Sequence, residues 1–321
     1  MTSADLSLAS IQDVARRIAP HARRTPLMAT REGEFGVGPI SLKLECLQHA
    51  GSFKTRGAFA NLLGAEVPTA GVTAASGGNH GAAVAYAAGR LGHKARIFTP
   101  AIASPAKLSA ILGFGAAVHV EGARYADARA LCEIYARESG ALDVHPYDAA
   151  ATVAGQATTF LEWEAQLAAE GRGLDTVLIA VGGGGLIGGA CAWFGRRLRI
   201  VGVEPEGSRA LHAALEAGAP VDVGVESIAA DSLGAKSVGA LPFELARAAG
   251  VISALVPDAA IAAAQAALWR EARVAVEPGG ACALAALISG AYIPAKGERV
   301  GVLACGGNVD LDALARVAAA P

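Results

Sequence analysis

No Cys-x-x-Cys pair occurs in the chain, and the five cysteines present (Cys46, Cys132, Cys191, Cys282 and Cys305) are scattered and odd in number. That pattern argues against a disulfide framework and a zinc site, and for a chain working in a reducing cytoplasm. Excess charge is missing too. The formal net charge is −2 and no basic run appears, so nucleic acid is not an expected partner. No apolar run of about 18 residues is free of charges and glycines, so no membrane span is expected. The opening residues, Met1-Thr2-Ser3-Ala4-Asp5, lack a basic segment followed by an apolar one, so no secretory signal is expected. Internal repeats, low-complexity linkers and long charge runs are absent as well.

What is present is a large apolar content. At 321 residues and 53% hydrophobic, the chain can bury a sizeable core and is long enough for two domains. The abundance of alanine and glycine is most simply a matter of genomic base composition. Ser10 reads as the N-cap of a first helix, Ile11 to Ala19, stopped by Pro20. Short apolar runs at 41–45, 72–75, 95–98, 117–120, 142–144, 176–181, 199–203 and 299–304 read as strands. Helical patterns separate them, with Ser104-Pro105 a cap and first-turn proline for one. Repeated strand–helix alternation predicts an α/β fold with parallel sheets flanked by helices.

Three stretches carry chemistry. Lys43-Leu44-Glu45 alternates as a strand does, breaks at Ala50-Gly51-Ser52, and leads through Phe53 to Lys54 at the start of a helix. A lysine beside an aromatic ring and a helix N-terminus is disfavoured as an ammonium, which suits an amine that forms a Schiff base. The Walker pattern does not fit, because Phe53 stands where it needs glycine. Ala75-Ser76-Gly77-Gly78-Asn79-His80-Gly81 sits between a strand and a helix, where small residues let backbone N–H groups approach an anion. The strand at 176–181 runs into Gly182-Gly183-Gly184-Gly185-Leu186-Ile187-Gly188-Gly189, an anion nest. Gly183-x-Gly185-x-x-Gly188, with Glu204 about twenty residues on, also satisfies the dinucleotide fingerprint. Taken singly, each stretch has an ordinary reading: a surface lysine, a capped turn, a glycine-rich loop.

Gly51-Ser52-Phe53-Lys54-Thr55-Arg56-Gly57-Ala58 resembles the cofactor-lysine motif of the serine/threonine dehydratases, members of the fold-type II, tryptophan-synthase-β-like group of pyridoxal phosphate enzymes. The 76–80 loop resembles their Ser-x-Gly-Asn-His loop, which binds the substrate carboxylate and whose Asn contacts the cofactor's phenolic oxygen. The resemblance therefore implies catalytic Lys54, Ser76 and Asn79, and substrate contacts from Ser76, Gly77, Gly78, Asn79 and His80. Gly182, Gly183, Gly184, Gly185 and Leu186 match the phosphate loop. Glu277-Pro278-Gly279-Gly280-Ala281 matches an element beside the cofactor ring, and Cys305-Gly306-Gly307-Asn308 one whose Ser or Cys meets the pyridine nitrogen. Phe53 is expected against one face of that ring. A dehydrogenase has no use for the Lys54 and Asn79 motifs, so their company decides for pyridoxal phosphate over a dinucleotide.

In the family a glutamate at the position of Glu204 and nearby carbonyls hold a cation. Here Ser208 and Ala210 would supply the carbonyls. The position where some racemases carry Asp is Ala210, which favours potassium or no ion over a divalent one. The resemblance implies a two-domain fold, with a small substrate-side domain at 49–151 inserted into a large cofactor-binding domain of 1–48 and 152–321. The expected activity is α,β-elimination from L-threonine, L-serine or a related 3-hydroxy amino acid, giving a 2-oxo acid and ammonia in a catabolic, cytoplasmic homodimer. No further C-terminal regulatory domain is seen, so feedback control is not expected. Asp231-Ser232-Leu233-Gly234-Ala235 departs from the Thr-x-Ala-Asp-Gly segment of typical threonine dehydratases, which leaves the substrate open. In related serine racemases a serine two residues before the loop asparagine returns the proton on the far face; here that position is Gly77. A sibling enzyme (serine racemase or β-replacement), an NAD-dependent oxidoreductase and a catalytically silent binding protein of the same fold are the alternatives.

Overall fold

The structure is a computed structural model that describes residues 6–101, 103 and 105–319. Its strands are β1 (Leu27–Ala29), β2 (Ile40–Leu44), β3 (Val72–Ala75), β4 (Ala95–Thr99), β5 (Ala117–Val120), β6 (Leu142–Asp143), β7 (Thr176–Ala180), β8 (Arg199–Pro205), β9 (Ile252–Val256) and β10 (Val300–Ala304). The first helices are α1 (Leu8–Ile18), α2 (Lys54–Leu63), α3 (Asn79–Leu91), α4 (Pro105–Gly113), α5 (Tyr125–Ser139), α6 (Ala150–Ala169) and α7 (Gly185–Phe194). Then come α8 (Ala210–Ala217), α9 (Ala230–Leu233), α10 (Ala240–Ala249), α11 (Asp258–Ala272), α12 (Pro278–Ile288) and α13 (Leu311–Ala319).

Two sheets form. One has six strands in the order β1-β2-β10-β7-β8-β9, the other four in the order β5-β4-β3-β6. Every pairing is parallel except β1 with β2. Strands β2, β7 and β10 are buried along their whole length, as strands with helices on both faces must be. The main core gathers around the six-stranded sheet and includes Trp163, Phe160 and Phe194. A second cluster packs on the four-stranded sheet and draws Leu6, Val14 and Ile18 from α1 and the segment before it, and Val153 and Ala154 from α6.

The first helix is capped by Ser7, whose hydroxyl accepts from Ser10 N at 3.2 Å. Ser10 lies inside the helix, one turn later than the cap, so the expected boundary moves back. Ser104 lies outside the described residues, as do Met1–Asp5. Two strands escape the sequence pattern: β1 is only three residues long, and β9 carries exposed Ile252 and partly buried neighbours.

The alternation of Lys43 and Glu45 suggests a half-solvated strand, yet both side chains are fully buried. Lys43 Nζ donates to Glu162 Oε1 at 2.6 Å, Gln166 Oε1 at 2.6 Å and Thr25 O at 3.0 Å. The Arg56 guanidinium forks onto Glu45 at 2.8 and 2.7 Å and reaches Glu162 Oε2 at 3.1 Å. This network fastens α2 to β2 and α6. Gly57 and Gly155 let the same helices touch, since a Cβ on Gly155 would lie 2.6 Å from Gly57 Cα. The helix that opens on Lys54 is thus anchored from two sides.

Candidate active site

The loops that follow β2, β3, β7 and β10 all leave the C-terminal ends of parallel strands, where ligands of such sheets collect. The loop before Lys54 is stitched to the end of β10. Phe53 N donates to Cys305 O at 3.2 Å, Gly307 N to Gly51 O at 2.8 Å, and Ser52 bridges Gly306. Lys54 is the first residue of α2; its amine lies 5.3 Å from the centroid of the neighbouring Phe53 ring and donates to Pro146 O at 2.7 Å. Burial pushes the amine down to about 8, against the opposing pull of Cys305 and Glu277. Desolvation and a helix end are what the sequence offers to lower this amine; the structure makes burial the leading cause.

The loop after β3 ends at Asn79, the first residue of α3. Ser76 Oγ accepts from Gly78 N at 3.1 Å, which bends the loop back on itself. Asn79 Nδ2 donates to Glu277 Oε1 across the crevice, and Asn79 Oδ1 accepts from Asn308 Nδ2 at 2.8 Å. Glu277 is buried, its Oε2 has no partner among the described residues, and burial pushes its acid up to about 7. His80 turns the other way. Its Nε2 bonds Val144 O at 2.7 Å, and burial pushes the imidazole down to about 3. What His80 can offer an anion is its backbone N–H in the first turn of α3, where helical N–H groups lack a partner within the helix.

The glycine run after β7 leads into α7, with Gly184 in the left-handed region at φ 94°. Gly183 O accepts from Gly239 N at 3.0 Å. The bare backbone serves a second purpose besides approach to an anion: a Cβ on Gly183 would run into the Tyr147 ring, and one on Gly185 would lie 2.9 Å from Tyr147 Cα. Residues 145–148 form a strap. Pro146 meets Lys54, Tyr147 covers the glycine loop, and Asp148 accepts from Ala240 N and Leu241 N at 3.1 and 2.9 Å at the head of α10. Sequence reading missed this strap, although His145-Pro146-Tyr147-Asp148 is a compact polar cluster between a strand and a helix.

Helix α9 covers the site from the other side. Asp231 O would lie 3.7 Å from a Cβ on Gly78, Leu233 Cα 3.1 Å from one on Gly182, and Ser232 Oγ would collide with one on Gly279. The atypical segment 231–235 therefore lies against the loops after β3 and β7 and the first turn of α12, and the Asp231 carboxylate also pairs with Lys107 of α4. Cys305 is buried with its thiol donating to Gly279 O at 3.4 Å; burial pushes the thiol far above its ordinary range, so it stays neutral.

Glu204 ends β8 fully buried, and both its oxygens are engaged, accepting from Leu211 N and His212 N at 2.8 Å each. A carboxylate so used at a helix N-terminus is not presented to a ribose, which removes the acidic residue the dinucleotide fingerprint needs. Burial pushes its acid up to about 7 despite those two bonds. Ser208 lies buried close by with its hydroxyl on Leu233 O at 3.0 Å, and Ala210 opens α8. No group of three or more His, Cys, Asp or Glu that could hold a metal occurs among the described residues.

Pyridoxal phosphate fits what is present. The amine of Lys54 has a lowered pKa, a glycine loop heads a helix with its unpaired N–H groups, and the unpartnered Glu277 Oε2 and Ser52 Oγ mark buried polar positions awaiting a partner. Residues 18–306 match the family described as pyridoxal-phosphate dependent enzyme. A phenylserine dehydratase of Ralstonia pickettii is 38% identical over 317 residues, 96% of this chain and 95% of that protein. Maize serine racemase superposes with a TM-score of 0.89 at 32% identity, covering 97% of this chain and 96% of that one. A threonine deaminase of T.th. superposes at 0.87 with 35% identity, covering 95% of this chain and 99% of that one.

Proposed function

The chain belongs to the pyridoxal-phosphate dependent enzymes, and from that premise we propose that it is a dehydratase (ammonia-lyase) acting on a 3-hydroxy amino acid. The products are a 2-oxo acid and ammonia. Relatives named phenylserine dehydratase and L-threonine ammonia-lyase support the reaction class, and L-threonine, L-serine and a bulkier 3-hydroxy amino acid are the substrates to test. The observation that carries the reading is the Lys54 amine, lowered to about 8 by burial, in the same crevice as Asn79 and the glycine loop.

Bound pyridoxal phosphate supplies an electron sink for the bonds at the substrate Cα. In this reading Gly182 to Leu186 hold its phosphate through backbone N–H groups, Phe53 faces the ring, and Asn79 donates to its phenolic oxygen. Cys305 would stand by the ring nitrogen as a neutral thiol, a group too weakly acidic to protonate it. The substrate carboxylate sits on the loop from Ser76 to His80, held by N–H groups at the head of α3. Lys54, once free, takes the Cα proton, being unprotonated in a useful fraction near neutral pH. On the opposite face no side chain stands at Gly77 to return that proton, which favours loss of the 3-hydroxyl over racemisation.

The segment 49–151 is read as the substrate-side domain, and 1–48 with 152–321 as the cofactor-binding one. A potassium ion beside Glu204, on the carbonyls of Ser208 and Ala210, completes the site. Dialysis against a bulky organic cation should lower activity and potassium should restore it; restoration by magnesium alone would contradict this. A catabolic homodimer in the cytoplasm is proposed as the working form; the five cysteines, all buried and free, agree with a reducing compartment, and sedimentation tests the dimer.

The decisive experiment joins a spectrum to an assay. The purified protein should show the visible absorption of lysine-bound pyridoxal phosphate, and a panel of 3-hydroxy amino acids should yield 2-oxo acid. A protein without that band and without oxo-acid formation would not be the enzyme described.

A further inference from the structure

Asn308 follows β10 by four residues, and no role in the site has been given to it. Its side-chain nitrogen carries two hydrogens, and both are spent: one goes to Ala50 O at 2.8 Å and one to Asn79 Oδ1 at 2.8 Å. Its oxygen lies against Gly51, where any Cβ would overlap it, and Gly51 has φ +75°. Ala50 is itself left-handed at φ 53°, a conformation seldom taken by residues with a side chain, and its carbonyl is one of those held.

We propose that Asn308 is the positioning residue that decides which way round the Asn79 carboxamide sits, donating to it and to the loop before Lys54 from a single nitrogen. The inference rests on the reading of Asn79 as a cofactor contact. Because Asn308 can only donate from that nitrogen, the Asn79 atom facing it must be the oxygen. Asn79 Nδ2 then faces Glu277 Oε1, gives it one hydrogen, and keeps the second for an oxygen of the cofactor. Turned over, Asn79 would set nitrogen against nitrogen at Asn308. Glu277 cannot enforce the choice alone. Its acid is pushed up to about 7, so near neutrality part of it is protonated and can donate as well as accept. Asn308 has no such ambiguity. The same chain, from Ala50 through Asn308 and Asn79 to Glu277, ties the Lys54 loop and the start of α3 to the loops of β10 and α12.

Asn308→Asp tests this, since aspartate fills the same volume but turns the donor into an acceptor facing two other oxygens. Affinity of the apoprotein for added pyridoxal phosphate is measured by tryptophan fluorescence, with the melting temperature of each apoprotein as a control. Asn308→Asp should weaken cofactor binding about tenfold, the scale of one lost hydrogen bond, and at least as much as Asn308→Ala. In an Asn79→Ala background the same change should alter affinity less than twofold, because its effect runs through Asn79. A role in packing alone predicts that aspartate is tolerated and alanine is not, and that outcome overturns the proposal, as does full additivity with Asn79→Ala. If Asn79→Ala itself leaves cofactor affinity unchanged, the reading of Asn79 fails and the proposal falls with it. If Asn79→Ala weakens binding and Asn308→Asp does not, the proposal alone falls. Should Asn308→Asp not fold, Asn308→Ala carries the same comparison.

Discussion

At the scale of single residues, the chemistry turns on what surrounds an amine and what is missing opposite it. Lys54 is nucleophilic only as the free base, and burial moves its titration to about 8. Covalent uptake of pyridoxal phosphate by the apoprotein should therefore speed up as pH rises through about 8 and level off above it. A stopped-flow pH series checks this, and a rate still climbing steeply near 10, as for an ordinary lysine, would refute it. Lys54→Ala should abolish turnover and the visible band together. Gly77 is the second case. L-Serine should give pyruvate with negligible D-serine, which chiral chromatography reads directly. Adding a serine there is not free, because a Cβ would lie 2.5 Å from Ala103 Cβ. Gly77→Ser should therefore gain racemase activity only when Ala103→Gly makes room; gain by the single variant at full stability would show that the loop yields more easily than the packing indicates.

Elements are placed by partners far away in sequence. Helix α8 has no side-chain cap at Arg209, and its second and third N–H groups are satisfied instead by Glu204 from the end of β8. Glu204→Ala strips both bonds from a helix start and leaves a hole, at a cost of about 2 kcal/mol, near the upper end for a lost cap. Glu204→Gln keeps one acceptor and should cost less. Thermal melting of the apoprotein in sodium and in potassium separates this capping role from any ion bound there. Loss of stability by the alanine variant in both salts is the expected result, and no loss in either would remove the cap from the account. Helix α9 shows the same dependence. Four residues long, it has little stability of its own, and the Asp231–Lys107 pair and the packing of Leu233 hold it over the glycine loops.

For the molecule as a whole, the join between the N-terminal segment, the lysine helix and α6 is electrostatic. Lys43, Glu45, Arg56 and Glu162 meet with little or no water around them. Burial pushes the Glu45 acid up, and the Arg56 guanidinium more than reverses this, leaving it below its ordinary 4.5. A carboxylate depressed on folding stabilises above its unfolded value and loses that contribution as pH falls through the folded one, so acid should loosen this join below about 4.5. Glu45→Gln leaves Arg56 short of a charge in the interior and should cost about 3 kcal/mol, roughly 4–5 °C in melting temperature for a chain of this length. A shift under about 1 °C would mean that Arg56 is not left with an uncompensated buried charge.

Local sequence was enough for much of this. Strand–helix alternation set the α/β class, and the strands at 72–75 and 117–120 fall where the pattern put them, because short apolar runs bounded by turns leave few options. The 76–80 and 182–186 loops stand out in the sequence because runs of small residues occupy consecutive positions, and Lys54 because it follows such a break at the start of a helix. Other features hinge on residues distant in the chain. Whether Lys43 faces water or a buried partner depends on Glu162, more than a hundred residues on, and Glu45 is paired by Arg56 from the lysine helix. Glu204 reads as a cation ligand in the sequence, and that its two oxygens cap α8 is visible only once β8 and α8 are folded together. Tyr147 and the bonds of Asn308 and Glu277 to Asn79 acquire meaning only when the ends of separate strands converge on one crevice. Periodicity and steric need are local and survive in one dimension; burial and hydrogen-bond partnership are set by whichever segments the fold brings near, and only the tertiary structure decides them.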